Sequence, residues 1–185
     1  MRFAIDRQFQ HEWDSLHNRA CIAIPAAELA PDGYARLLRI VEHPTYPGVP
    51  VPYRYELLAP HTDRKLPLLV VSCEWDYDAD ACKLATPIER RCHPEMLEPT
   101  LRCTQSALAP RRGRKLEKAL SAISVPLIPK DPPMGVDGST VKVTVGQGIA
   151  GLTLWWWVYA PAEWQPLGKI VDEVMRTARA TQDGE

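Results

Sequence analysis

The chain has 185 residues, 45% hydrophobic and 24% charged, and its 22 basic and 23 acidic side chains leave a net charge of −1. That size and apolar share allow a sizeable core in one domain spanning residues 1–185, and they exclude wholesale disorder. The near-zero balance excludes an overall field that would draw the chain to nucleic acid or to anionic lipid. Eighteen prolines, about twice the ordinary frequency, predict short elements separated by stiff connections, because proline ends helices and cannot donate to a sheet ladder.

The N-terminus, Met1 to Gln8, is too polar for the core of a signal peptide. Phe9, Trp13 and Leu16 fall at helical spacing and predict a short amphipathic helix. Cys21 to Ile24 reads as a short apolar strand closed by Pro25, and Tyr34 to Val41 is open between helix and strand. After the proline-rich loop of Pro44, Pro47, Pro50 and Pro52, Tyr53–Leu58 alternates as a strand. Leu66–Cys73 reads as a central strand, joined to it by a turn at Asp63-Arg64-Lys65. Residues 82–124 read as helical, with a helix start at His93-Pro94-Glu95 and an apolar row at Leu116, Leu120 and Ile123. Four prolines between Ser124 and Pro133 form the best linker candidate. Val141, Val143 and Val145 alternate with Lys142 and Thr144. Gly146-Gln147-Gly148 then closes a hairpin onto a return strand, Ile149–Tyr159. Trp164, Leu167, Ile170, Val171, Val174, Met175 and Ala178 mark the apolar stripe of a terminal helix.

The longest apolar run, Leu152–Ala160, is far too short to cross a bilayer. The five cysteines, Cys21, Cys73, Cys82, Cys92 and Cys103, are odd in number and follow no secretory leader. Reduced, buried thiols in a cytoplasmic protein are expected, with one or two disulfides as the alternative.

Two constellations stand out. On an extended strand, Leu152, Leu154, Trp156 and Val158 share one face, while Thr153, Trp155, Trp157 and Tyr159 share the other. The second set is an aromatic stripe, either covered by a helix or presented to a partner. Glu74, Asp76, Asp78 and Asp80 share one parity, so an extended backbone would show four like charges on one side. Such a row would meet a basic site on a partner or stand as a solvated strand end. It also opens like a calcium loop, but Ala81 replaces the required glycine and Pro87 the twelfth-position glutamate.

Other chemistries find weaker footing. The cysteines and His93 lack the close pairing of a zinc knuckle, so no metal is expected. Cys92-His93 are neighbours that point apart, which leaves no catalytic residue to name. Residues 90–118 carry eight basic and three acidic side chains, a local +5 that includes Arg111, Arg112, Arg114, Lys115 and Lys118. No nucleic-acid motif accompanies that run, and a solvated helix or an intramolecular pairing with the acidic row accounts for it. Nucleotide motifs are absent, and no cofactor is expected.

The ending DGST, VKVTV, a glycine turn, LTLWWW and PAEWQPLGKIV, over Gly135 to Met175, resembles that of small bacterial proteins of uncharacterised function. Some of these resemble immunity proteins encoded beside secreted antibacterial toxins. The resemblance implies a non-enzymatic protein that binds a cognate toxin and occludes its active site, with no nucleic acid or membrane involved. Glu74, Asp76, Asp78, Asp80, Trp155, Trp157 and Tyr159 are the candidate contact residues. A subunit of a homo- or hetero-oligomer (a homodimer in the simplest case) and a hydrolase or thiol enzyme are the alternatives. The expected fold is α+β: an antiparallel sheet of about five strands, helices packed on one face, and the terminal helix on the Val141–Tyr159 hairpin.

Overall fold

The computed structural model describes residues 7–44, 52–61, 63, 65–85, 97–130, 138–146 and 151–182. Alternating apolar residues build six strands: β1 (Tyr34–Pro44), β2 (Tyr53–Pro60), β3 (Leu69–Trp75), β4 (Leu101–Ala107), β5 (Ser139–Val145) and β6 (Leu152–Trp157). They form one antiparallel sheet in the order β4-β3-β2-β1-β5-β6. Among the described residues there are four α-helices: α1 (Arg7–Ala26), α2 (Tyr77–Ala85), α3 (Pro110–Ser121) and α4 (Gln165–Gln182). The α+β architecture expected from the pattern is what the chain forms, with six strands where about five were counted.

The strand period sets two faces. On the core face, Leu38, Ile40, Tyr55, Leu57, Val70, Val143, Leu154 and Trp156 are buried beneath Leu167, Val171, Val174 and Ala178 of α4 and Leu116 of α3. Each such side chain taken from water contributes roughly 1.5–3 kcal/mol. Trp164, in a 3₁₀ turn just before α4, meets Trp156 edge to face at 6.2 Å, which seats the helix start on the β5–β6 hairpin. On the second face α1 lies over β2 and β3, and Trp13, Leu16, Ala20 and Ile24 pack with Trp75 and Leu84.

Four local expectations change. Cys21–Ile24 is the last full turn of α1 rather than a strand. Ile24 continues the apolar stripe begun at Trp13, and that spacing outweighs the β-branched composition. Tyr34–Val41 resolves as strand. Within the stretch read as helical, Leu101–Ala107 is a strand, β4. As an edge strand most of its residues are open to solvent, so it shows no apolar run. Of the Ser124–Pro133 segment, the described residues 124–130 are tied down: Trp164 Nε1 donates to the Pro126 carbonyl at 2.8 Å and Lys130 N to Glu163 at 3.2 Å. The His93-Pro94-Glu95 start and the tip of the β5–β6 hairpin lie outside the described residues.

Candidate functional site

The acidic segment does not form a row. Extended backbone ends at Trp75, and Asp76 caps the helix that follows, accepting from the Ala79 amide at 3.0 Å. The change of period from two to 3.6 sends the four carboxylates to different places. Asp80 is wholly buried and accepts from Trp75 Nε1 at 2.6 Å, the Thr100 amide at 2.8 Å and Lys83 Nζ at 2.8 Å. Burial by itself would raise its pKa, but the bonds from Lys83, Thr100 and Trp75 hold it below the usual carboxylate range. Asp76 is lowered too, by the Ala79 amide and by Arg102, which lies 2.8 Å away. Glu74 is raised, chiefly by burial, although Arg102 lies 3.7 Å from it. Asp78 stays exposed. The segment is a folding staple that fastens β3, α2 and the start of β4, and it offers a partner one open carboxylate, not four. Its counter-charges are Arg102 and Lys83. The basic run turns elsewhere, with Arg112 donating to Glu173 at 2.6 Å and to Thr177 at 2.8 Å on α4.

The aromatic stripe is divided by backbone as well. Trp155 is 68% exposed, whereas Trp157 is partly covered. β6 ends at Trp157, so Tyr159, 74% exposed, stands beyond the strand. Val158 sits at φ 52°, a left-handed conformation that β-branched residues avoid. Gly138 faces it at φ 136°, where a Cβ would come within 2.1 Å of Val158 Cγ2. The Asp-Gly-Ser motif thus needs its glycine for a close approach of two strand ends. On the other face Leu154 and Trp156 are core, as expected, while Leu152 is 38% exposed.

Trp155 belongs to a broader surface that parity in one strand could not reveal. On the second face of the sheet the ladders align Arg39, Thr144 and Thr153 in one row and the buried Val41 with Lys142 and Trp155 in the next. His43, Thr140 and Trp157 make a third. Arg36 joins beyond a bulge in β1. Glu56 is the anchor beneath: it is buried and accepts from Arg54 at 2.7 Å, Arg39 at 2.8 Å and Arg36 at 3.4 Å. Arg54 is fully buried and also donates to the α1 carbonyls of Ile24 at 3.1 Å and Pro25 at 3.0 Å, and to Ala27. One carboxylate therefore serves three guanidiniums, of which Arg54 is fully buried, and Lys142 stands exposed beside them. His43 has a lowered pKa, from partial burial and then from the charge of Lys142. The result is a sheet surface of threonine hydroxyls, an exposed indole, the exposed Lys142 and the half-buried Arg39.

A cleft of about 300 Å³ opens between the ends of β5 and β6 and the start of α4. Glu42, Trp156, Val158, Tyr159, Asp172 and Met175 are among its lining residues. Among the described residues its lining includes no histidine, cysteine or lysine. Glu42 is already engaged by Arg179 at 2.6 Å. Among the described residues no group of three or more histidine, cysteine, aspartate or glutamate side chains could hold a metal ion. No described helix is long and apolar enough to cross a membrane. Comparison of the chain with protein-family models, with curated proteins and with solved structures finds no match.

Proposed function

We propose that this protein is a non-enzymatic binding protein, an immunity protein that neutralises a cognate secreted toxin, and that it grips the toxin with the open half of its sheet. The observation that carries the reading is Trp155: a large indole, 68% exposed, on a regular strand beside Lys142. Tryptophan is among the residues most enriched in interface hot spots. Lys142, exposed beside Trp155, fits an acidic group on the partner and speeds encounter through electrostatic attraction. The immunity role itself draws on the resemblance of the Gly135–Met175 ending. With Asp76 and Asp80 engaged inside the molecule, the acids are not the gripping surface.

The test is co-expression with the product of the adjacent gene in a host that this product harms. Rescue of growth and co-purification are expected, and Trp155→Ser combined with Lys142→Ser should weaken binding by about 100-fold or more. Neither rescue nor co-purification, or full binding by the double variant, would overturn the reading. Tight binding of a single-stranded oligonucleotide to the wild-type face, with steep salt dependence, would replace the protein partner by nucleic acid. A second copy of the chain as sole occupant would show as a mass in light scattering that rises with concentration.

A further inference from the structure

The ladder between β3 and β4 sets Cys73 directly opposite Cys103. Opposed residues of an antiparallel pair have Cα atoms about 4.5 or 5.5 Å apart, and both values lie inside the range a disulfide requires. Opposed residues also project from the same face, and here the two sulfurs approach to 2.7 Å. That is well inside ordinary contact of two thiols and outside the covalent distance of about 2.05 Å. Both cysteines are free thiols. Their surroundings differ: Cys73 is wholly buried, whereas Cys103, on the edge strand, is exposed. Across the sheet from Cys73 stands the buried Arg54.

We propose that Cys73 and Cys103 are a reversible dithiol modification site, which takes a small-molecule disulfide as oxidant and closes into a cross-strand bond. Cys103 is the entry point. Its thiol gives its proton to solvent, and its sulfur attacks one sulfur of the oxidant. The oxidant's S–S bond breaks, one thiolate departs, and a mixed disulfide forms on Cys103. Cys73 then loses its proton, and its sulfur attacks Cys103 Sγ from within the sheet, expelling the second thiolate outward to solvent. Two protein thiols are oxidised by two electrons, and one small disulfide is reduced to two thiols. Burial holds the Cys73 thiol up, with the bond from Cys103 adding to this and the nearby Arg54 charge opposing it. Cys73 is therefore the resolving partner and not the attacking one. Nothing in this site depends on the open face or on the identity of its partner.

The experiment uses the full chain, reduced, then held under native conditions with excess oxidised glutathione and quenched with N-ethylmaleimide. The expected product is lighter by two hydrogens and alkylated on two fewer of its five cysteines. Fragmentation of its peptides should show Cys73 linked to Cys103. Dithiothreitol should restore both thiols, Cys82→Ser should leave the result unchanged, and Cys103→Ser should leave Cys73 untouched. A glutathione that persists on Cys103, a bond from Cys103 to any other cysteine, or a Cys73–Cys103 link that forms only in denaturant would overturn the proposal. The wild-type peptide map decides the matter even where a variant fails to fold.

Discussion

Asp80 shows how one side chain changes meaning with its surroundings. By sequence it is the fourth acid of a row, but in the fold it is a buried acceptor with a charge partner and neutral donors around it. Removing one partner of a buried pair leaves the others desolvated and unmatched. Asp80→Ala is therefore expected to cost about 3 kcal/mol, read as a lower urea midpoint with little change in slope. The pH dependence follows from the same bonds. Asp76 and Asp80 both have folded pKa values below 3.8. Their contribution is full above 3.8 and is lost as pH falls from there through their folded values. His43, lowered from 6.5, withdraws a smaller contribution as pH falls below 6.5, because the unfolded chain then takes up the proton more readily. Glu74 acts in the opposite sense: its raised pKa adds stability as it protonates, above 4.5. The net expectation is a modest change through mild acid and a steep loss below pH 3.8. Urea midpoints that stay flat down to pH 2 would contradict it.

At the scale of elements, β3 and β4 show how a sheet manages an edge. β4 is held to its neighbour by the ladder, by the Ser72–Thr104 hydroxyl pair at 2.7 Å and by Arg102 reaching back to Asp76 and Glu74. Arg102 puts an exposed charge on this edge, which discourages pairing with a foreign strand. A Cys73–Cys103 bond would close a loop between residues 30 apart in sequence. By the chain-entropy relation such a loop stabilises by about 3–4 kcal/mol, less any strain in the closed form. Unfolding of the oxidised protein in urea should shift upward by an amount of that order. A midpoint identical in both redox states would show that β4 detaches before the cooperative transition. The C-terminal helix is secured differently, through its apolar stripe and through Arg179, which reaches Glu42 at 2.6 Å and Tyr55 at 3.3 Å. Burial, partly offset by that same arginine, raises the Tyr55 pKa to about 12, so the phenol stays protonated throughout the physiological range.

For the molecule as a whole, the decisive feature is unequal cover. Among the described residues, one face of the sheet is roofed by α3 and α4, while the opposite face is covered by α1 over β2 and β3 and by Leu29, Ala30 and Tyr34 against Leu58, Leu69 and Val71. The remainder, over β1, β5 and β6, is left to Arg36, Arg39, Lys142, Trp155 and the threonines. If this exposure serves binding and not folding, Trp155→Ser alone should leave the thermal midpoint within a few degrees of wild type. Surface substitutions away from caps and cores usually stay within about 0.5 kcal/mol. A large drop in the midpoint would instead place the indole among the structural residues.

Much of this architecture is written in local pattern. The alternation of Val141, Val143 and Val145 and the helical stripe from Leu167 to Ala178 determined strand, helix and inner faces, because burial of one side imposes a period that sequence displays directly. That Trp155 lies on the face opposite Leu154 and Trp156 was legible for the same reason, whereas its exposure was decided by the tertiary structure. What only the tertiary structure decided was everything that depends on which segments become neighbours. Asp80 found Trp75, Lys83 and Thr100, Cys73 found Cys103, and Arg36, Arg39 and Arg54 converged on Glu56. Asp80–Lys83 at i,i+3 on α2 and Arg54–Glu56 at i,i+2 on β2 follow a local period, whereas the other meetings are set by strand order and by the turn from β3 into α2. Where α1 stops is likewise decided by the tertiary structure, because Arg54 closes its last carbonyls from a strand that lies 27 to 30 residues further along the chain.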